Sequence, residues 1–84
     1  MLLPQVSSLK EKRRIIKSLL ERIRNDFNVS IAEVGENDIH RRAIIGAATV
    51  SNSTGFSDKV IAGVIRRIEA HPGVVLGDVE TVAY

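Results

Sequence analysis

Between Ser8 and Asn25, apolar residues return every three or four positions: Leu9, Ile16, Leu19, Leu20 and Ile23, with Ile15 on the flank. That spacing is one stripe along a 3.6-residue helix, over about residues 9–25, and no strand presents it to a core. Ser8 opens it with a capping box. Its hydroxyl is placed to accept from the Glu11 amide, and the Glu11 carboxylate to reach back to the Ser8 amide. On the far side of the wheel stand Lys10, Arg13, Arg14, Lys17 and Arg24, with Glu21 the one acid among them, in pairing range of Lys17 and Arg24. Lys12 sits at the edge of the apolar stripe, where a snorkelling side chain is expected.

From Phe27 the period changes to two. Phe27, Val29 and Ile31 point one way and Asn28, Ser30 and Ala32 the other, a half-buried strand running to about Val34. Gly35 to His40 is a polar turn, and a second strand is expected from about Arg42 to Ser51. Its Gly46, Ala47 and Ala48 predict close packing by a helix or another backbone. After the loop Ser51 to Gly55, a second helix is expected from about Thr54 to Ala70, burying Phe56, Val60, Ile61, Val64, Ile65 and Ile68. His71-Pro72-Gly73 ends it, since proline cannot continue the ladder. A last strand follows in "VVLGDVETVAY", with a bulge expected at Gly77–Asp78.

Helix, strand, strand, helix, strand is the α+β order of a ferredoxin-like β-α-β-β-α-β unit, an antiparallel sheet with two helices on one face, that lacks its opening strand. Only Met1, Leu2 and Leu3 precede Pro4, so the first strand is expected to be truncated. The 84 residues make one domain, 1–84, and a chain this short buries only about 60–65% of its unfolded surface. Helices on one face leave the other open. Ala32, Val34, Ala43, Ile45, Ala47, Val82 and Tyr84 are expected there, apolar enough to predict a homodimer or higher oligomer.

The chain is electrically polarised. Ser8 to Arg24 holds seven Lys or Arg against two Glu, a net of +5, and the rest holds five against eight acids, a net of −3. The overall +2 hides a basic element able to steer a polyanion toward one face. With no cysteine, disulfides, thiolate metal sites and thiol catalysis are excluded. No apolar run approaches the roughly 20 residues of a membrane span, and "MLLPQVSS" lacks the pattern of a secretory signal, so a cytoplasmic location and no membrane partner are expected.

Glu36, Asp38 and His40 alternate in the "GENDIHRR" loop, but no second His or Cys stands in a ligand pattern, and a solvated turn is expected there with no metal. Arg42 has Glu33, Glu36 and Asp38 as candidate ion-pair partners. Two Phe, one Tyr and no Trp, with no G-x-x-G loop, argue against base stacking on an open sheet. An RNA partner would be held by backbone and shape.

Taken together, "SLKEKRRIIKSLLERIRNDFNVSIAEV", "NDIHRRAIIG" and the closing helix and strand resemble the YlxP-like family of small bacterial proteins, whose function is unknown. The resemblance runs from Leu3 onward. It implies a ferredoxin-like fold, and genes that commonly neighbour those of transcription-elongation, translation-initiation and ribosome-maturation factors. It defines no catalytic residue and no cofactor. Two departures stand out. The family usually carries several more residues before the position of Leu3–Pro4, and it often has Trp where His40 stands.

Two functional classes follow. One is a non-enzymatic accessory of RNA or ribosomes that contacts phosphates through Lys10, Arg13, Arg14, Lys17 and Arg24. The other is a protein-binding or self-assembling module in which the same cations form only a solvated helix face.

Overall fold

The computed structural model describes residues 1–84. Helix α1 spans Leu9–Asp26, strand β1 Ser30–Gly35, strand β2 Ile44–Ala48 and helix α2 Thr54–Glu69. The architecture is α+β, with two helices and a two-stranded antiparallel sheet.

Both helices begin where their caps dictate. Ser8 Oγ accepts from the Glu11 amide at 3.1 Å, and Ser53 Oγ from the Phe56 amide at 3.3 Å. The Glu11 carboxylate reaches one residue further back than expected, to the amide (3.2 Å) and hydroxyl (3.0 Å) of Ser7. Ser7 offers two donors where the Ser8 backbone offers one. The α1 stripe is buried at Ile16, Leu19, Leu20 and Ile23 as the spacing predicts. α2 buries Val60, Gly63, Val64 and Ile68, with Ile61 and Ile65 half-buried. Phe56, expected inside, is mostly exposed, because the first turn of α2 stands clear of a core that begins at Val60.

Gly63 is what lets α2 sit close to the end of α1. A Cβ there would stand 2.6 Å from Phe27 Cε1. A glycine inside a helix costs about 1 kcal/mol against alanine, and here it removes that clash.

The sheet corrects the expected faces. β1 and β2 pair Ile31 with Ala47, Ala32 with Gly46 and Glu33 with Ile45, with a bulge between Glu33 and Gly35. Ala32 and Val34 lie on the open face, as expected. Ala43 and Ile45 do not: Ala43 is fully buried and Ile45 packs against the core. Ala47, opposite buried Ile31, shares that inner side, since paired residues share a face. Ile44 and Gly46 point outward instead. Every position from Ala43 to Ala48 is apolar or glycine, so the phase could not be read from polarity and was set by register with β1. Gly46 meets no helix. A Cβ there would stand 3.2 Å from the Val34 side chain on the open face.

Beside β2 runs a third extended stretch. The Leu3 amide donates to Arg41 O (2.9 Å) and the Ala43 amide to Met1 O (2.9 Å). On its other edge Leu2 exchanges two bonds with Val75, at 2.7 and 2.8 Å. Leu2 therefore bridges Arg42 and Val75, antiparallel to both. The strand expected over residues 74–84 is reduced to that one bridge, and residues 76–84 make no backbone hydrogen bond to the rest of the chain. The expected bulge at Gly77–Asp78 is absent and Val82 and Tyr84 lie on no sheet, because no strand runs beside them to pair with. Leu3, Val6, Ile16, Leu19, Ile23 and Ile31 anchor the core between helices and sheet.

Candidate functional site

The cations of the chain divide into two groups. Five are committed within the fold. Lys12, expected to snorkel, is instead completely buried. Its ammonium lies 2.6 Å from Glu33 Oε2 and donates to the carbonyls of Glu36 (2.8 Å) and Ile39 (2.6 Å). The Lys12 stem emerges from the inner side of α1, and Glu33 faces it from the inner side of β1, so no route to water remains. That buried carboxylate oxygen has no partner except the ammonium. The contacts also hold the turn at Glu36, whose positive φ of 57° is costly for a residue with a side chain.

Arg24 donates to the Ile31 carbonyl at 2.7 Å, tying the last turn of α1 to β1. Arg41 donates to Val6 O at 3.0 Å, and Arg42 pairs with Glu36 at 3.3 Å, one of the three carboxylates expected for it. Arg67 pairs with Asp26 and lies over the Phe27 ring, 5.4 Å from its centroid.

The other seven, Arg22 among them, form no ion pair. Lys10, Arg13, Arg14 and Lys17 are exposed along the solvent side of α1, and their side chains have neither an ion-pair partner nor an intramolecular hydrogen bond. Lys10 to Lys17 spans about 10 Å of helix axis. Four of the five expected contact residues thus stand together, while the fifth, Arg24, already holds a backbone carbonyl. Glu21 forms no ion pair with Lys17 or Arg24. The carboxyl of Glu11 is held below its usual range by the two Ser7 hydrogen bonds, with Arg14 adding to the effect.

Reading the sequence for one basic helix missed the second. Lys59 and Arg66 on α2 are likewise exposed and unpaired. With Phe27, Gly63, Arg67 and Ala70 they line a shallow depression of about 320 Å³. The signal was present as Lys59 and Arg66 seven residues apart, two turns along one helix face. No group of three or more His, Asp or Glu side chains converges anywhere. No helix is long and apolar enough to cross a membrane.

Comparison with known proteins places these features in a family. Residues 1–81 match the family described as "Protein of unknown function (DUF503)". The chain is 42% identical over 67 residues to "Uncharacterized protein YlxP" of Bacillus subtilis (strain 168), an alignment covering 80% of this chain and 73% of that protein. No solved structure matches it. A family match over nearly the whole chain, together with this identity, means that the chain belongs to the YlxP-like (DUF503) proteins of unknown function.

Proposed function

We propose that this protein is a non-enzymatic accessory of RNA or ribosomes, working in the cytoplasm and gripping phosphates through Lys10, Arg13, Arg14 and Lys17, with Lys59 and Arg66 extending the contact. The observation that carries the reading is the division of cations. Five of them satisfy groups of the fold, whereas these six are exposed and form no ion pair, as is Arg22. Unpaired cations along a helix attract a polyanion without base specificity. The fold around them is a ferredoxin-like β-α-β-β-α-β arrangement. Support comes from Leu2, which makes isolated antiparallel bridges to Arg42, just before β2, and to Val75.

A titration of ribosomal RNA fragments at about 50 and 200 mM salt tests this. Four phosphate contacts should weaken binding about a hundredfold across that range. A variant carrying Lys10→Glu, Arg13→Glu, Arg14→Glu and Lys17→Glu should lose binding with its helical signal intact. Equal binding by the variant, or none by the native chain at low salt, rejects the proposal.

A second reading, a self-assembling or protein-binding module, is favoured by one separate observation. Leu2, Val34, Ile44 and Val75 are all about half exposed or more on the open side of the sheet, where no helix covers them. An exposed cluster of aliphatic side chains is the usual mark of a contact surface.

A further inference from the structure

The depression of about 320 Å³ where α2 meets the end of α1 holds more than cations. Its volume falls at the small end of the range for small-molecule sites. Within it the Arg67 guanidinium lies over the Phe27 ring, 5.4 Å from the centroid, and its Nη1 donates to Asp26. A guanidinium is planar, so a ring beneath it and a carboxylate at its edge fix how it lies. The Arg67 side chain is nevertheless 38% exposed. One face of the plane is covered by Phe27 and the other is open to the depression. Gly63 makes the stack possible, since a Cβ there would meet the Phe27 ring. Lys59 and Arg66 stand on either side of Gly63, about 10 Å apart along the α2 axis. Both are exposed and neither forms an ion pair. Asp26 compensates Arg67 alone, which leaves two positive charges on the rim without a partner.

We infer that this depression seats one unstacked nucleotide of single-stranded RNA, its base on the open face of Arg67 and its flanking phosphates on Lys59 and Arg66. The inference deepens the phosphate-contact reading and rests on it. The state of Arg67 selects the ligand. Phosphates and carboxylates are bound by the N–H edge of a guanidinium, and Asp26 already occupies part of that edge. What Arg67 has left to offer is a flat, fixed face, the surface on which an unpaired base stacks. An acidic protein segment would find the two rim cations but has no ring to lay on that face. The solvent side of α1 shows the contrast, because Lys10, Arg13, Arg14 and Lys17 have charge and no aromatic partner. Every base has a π-face, so the seat distinguishes single strands from duplexes and reads no particular sequence.

The test is NMR of the full chain, following the ring protons of Phe27 against those of Phe56, the only other phenylalanine. The probes are an oligoadenylate of about six residues, an abasic strand of the same length, adenosine monophosphate and an oligoglutamate. The oligoadenylate should shift the Phe27 ring, leave Phe56 in place and bind about tenfold tighter than the abasic strand. Arg67→Lys keeps the charge and loses the plane, so it should remove about that tenfold and leave the abasic strand unaffected. Lys59→Ala with Arg66→Ala, both exposed in the native chain, should weaken the two strands alike. Equal affinity for the two strands overturns the seat, and so does an Arg67→Lys chain that binds the oligoadenylate as the native one does. Adenosine monophosphate binding as tightly as the strand would make the occupant a free nucleotide, and an equal Phe27 shift with oligoglutamate would make it an acidic protein segment. Either result overturns the inference. The chain with four Glu substitutions on α1 leaves these residues untouched. If it binds RNA as the native chain does and Phe27 still responds, the α1 reading fails and the seat stands. If it loses binding while Arg67→Lys changes nothing, only the seat fails.

Discussion

The two sides of α1 carry the same chemistry to opposite ends. On the inner side Lys12 is sealed from water and bound by a carboxylate and two carbonyls. On the outer side Lys10, Arg13, Arg14 and Lys17 are exposed and form no ion pair. A desolvated cation must be compensated within the fold, and removing either partner leaves the other buried and alone. A solvated cation has no such obligation and is available to a ligand. The number of basic residues in a helix therefore says little about function until each has been assigned a partner or found to lack one.

Substitutions should separate these two kinds of cation by stability and by salt dependence. Lys12→Ala should be the most damaging, costing about 3 kcal/mol, since it strands Glu33 and two carbonyls. In a domain this small that amounts to a fall in Tm of about 12 °C or more, read by thermal circular dichroism. A small effect would mean that the pocket around Glu33 fills readily with water.

Arg24→Ala should cost about 1.5 kcal/mol by releasing the Ile31 carbonyl. It should leave the salt dependence of RNA binding unchanged, and a shallower slope would return Arg24 to the contact surface. Lys17→Ala is the mirror case. Its stability should move by less than about 0.5 kcal/mol, while the slope of log affinity against log salt falls by about one.

The smallest effect concerns pH. The Glu11 carboxyl titrates below its ordinary value in the folded chain, so its contribution is present above the unfolded value and disappears as pH falls through the folded one. Because the group lies at the surface, acid titration of the native chain and of Ser7→Ala should differ only slightly, with the native chain the more resistant in the acid range. An identical acid profile would show that the Ser7 bonds do not outlast solvent competition.

Much of the fold was legible in the sequence. α1 falls within one residue of the expected span, and α2 matches its expected start and ends one residue early. Caps and the 3.6-residue stripe are local signals that need no knowledge of neighbours. The exposed face with Lys10, Arg13, Arg14 and Lys17 was legible for the same reason. Arg24 lies on that face in a helical wheel, but its guanidinium reaches a carbonyl seven residues on, across the turn into β1. The α2 cations were legible too, as a pair two turns apart, yet they gain meaning only where Phe27 and Arg67 close the depression around them.

The sequence by itself determined the helices, the caps, the helix stop at His71-Pro72-Gly73 and the polarised charge, because each rests on contacts within a turn or two of chain. Tertiary structure alone decided the rest. It buried Lys12, since Glu33 and the carbonyls of Glu36 and Ile39 come from residues more than twenty positions away. It turned Ala43 and Ile45 inward, since a run apolar at every position has no phase until a partner strand imposes one. It also left 76–84 unpaired, since a strand exists only where a neighbouring backbone answers its hydrogen bonds.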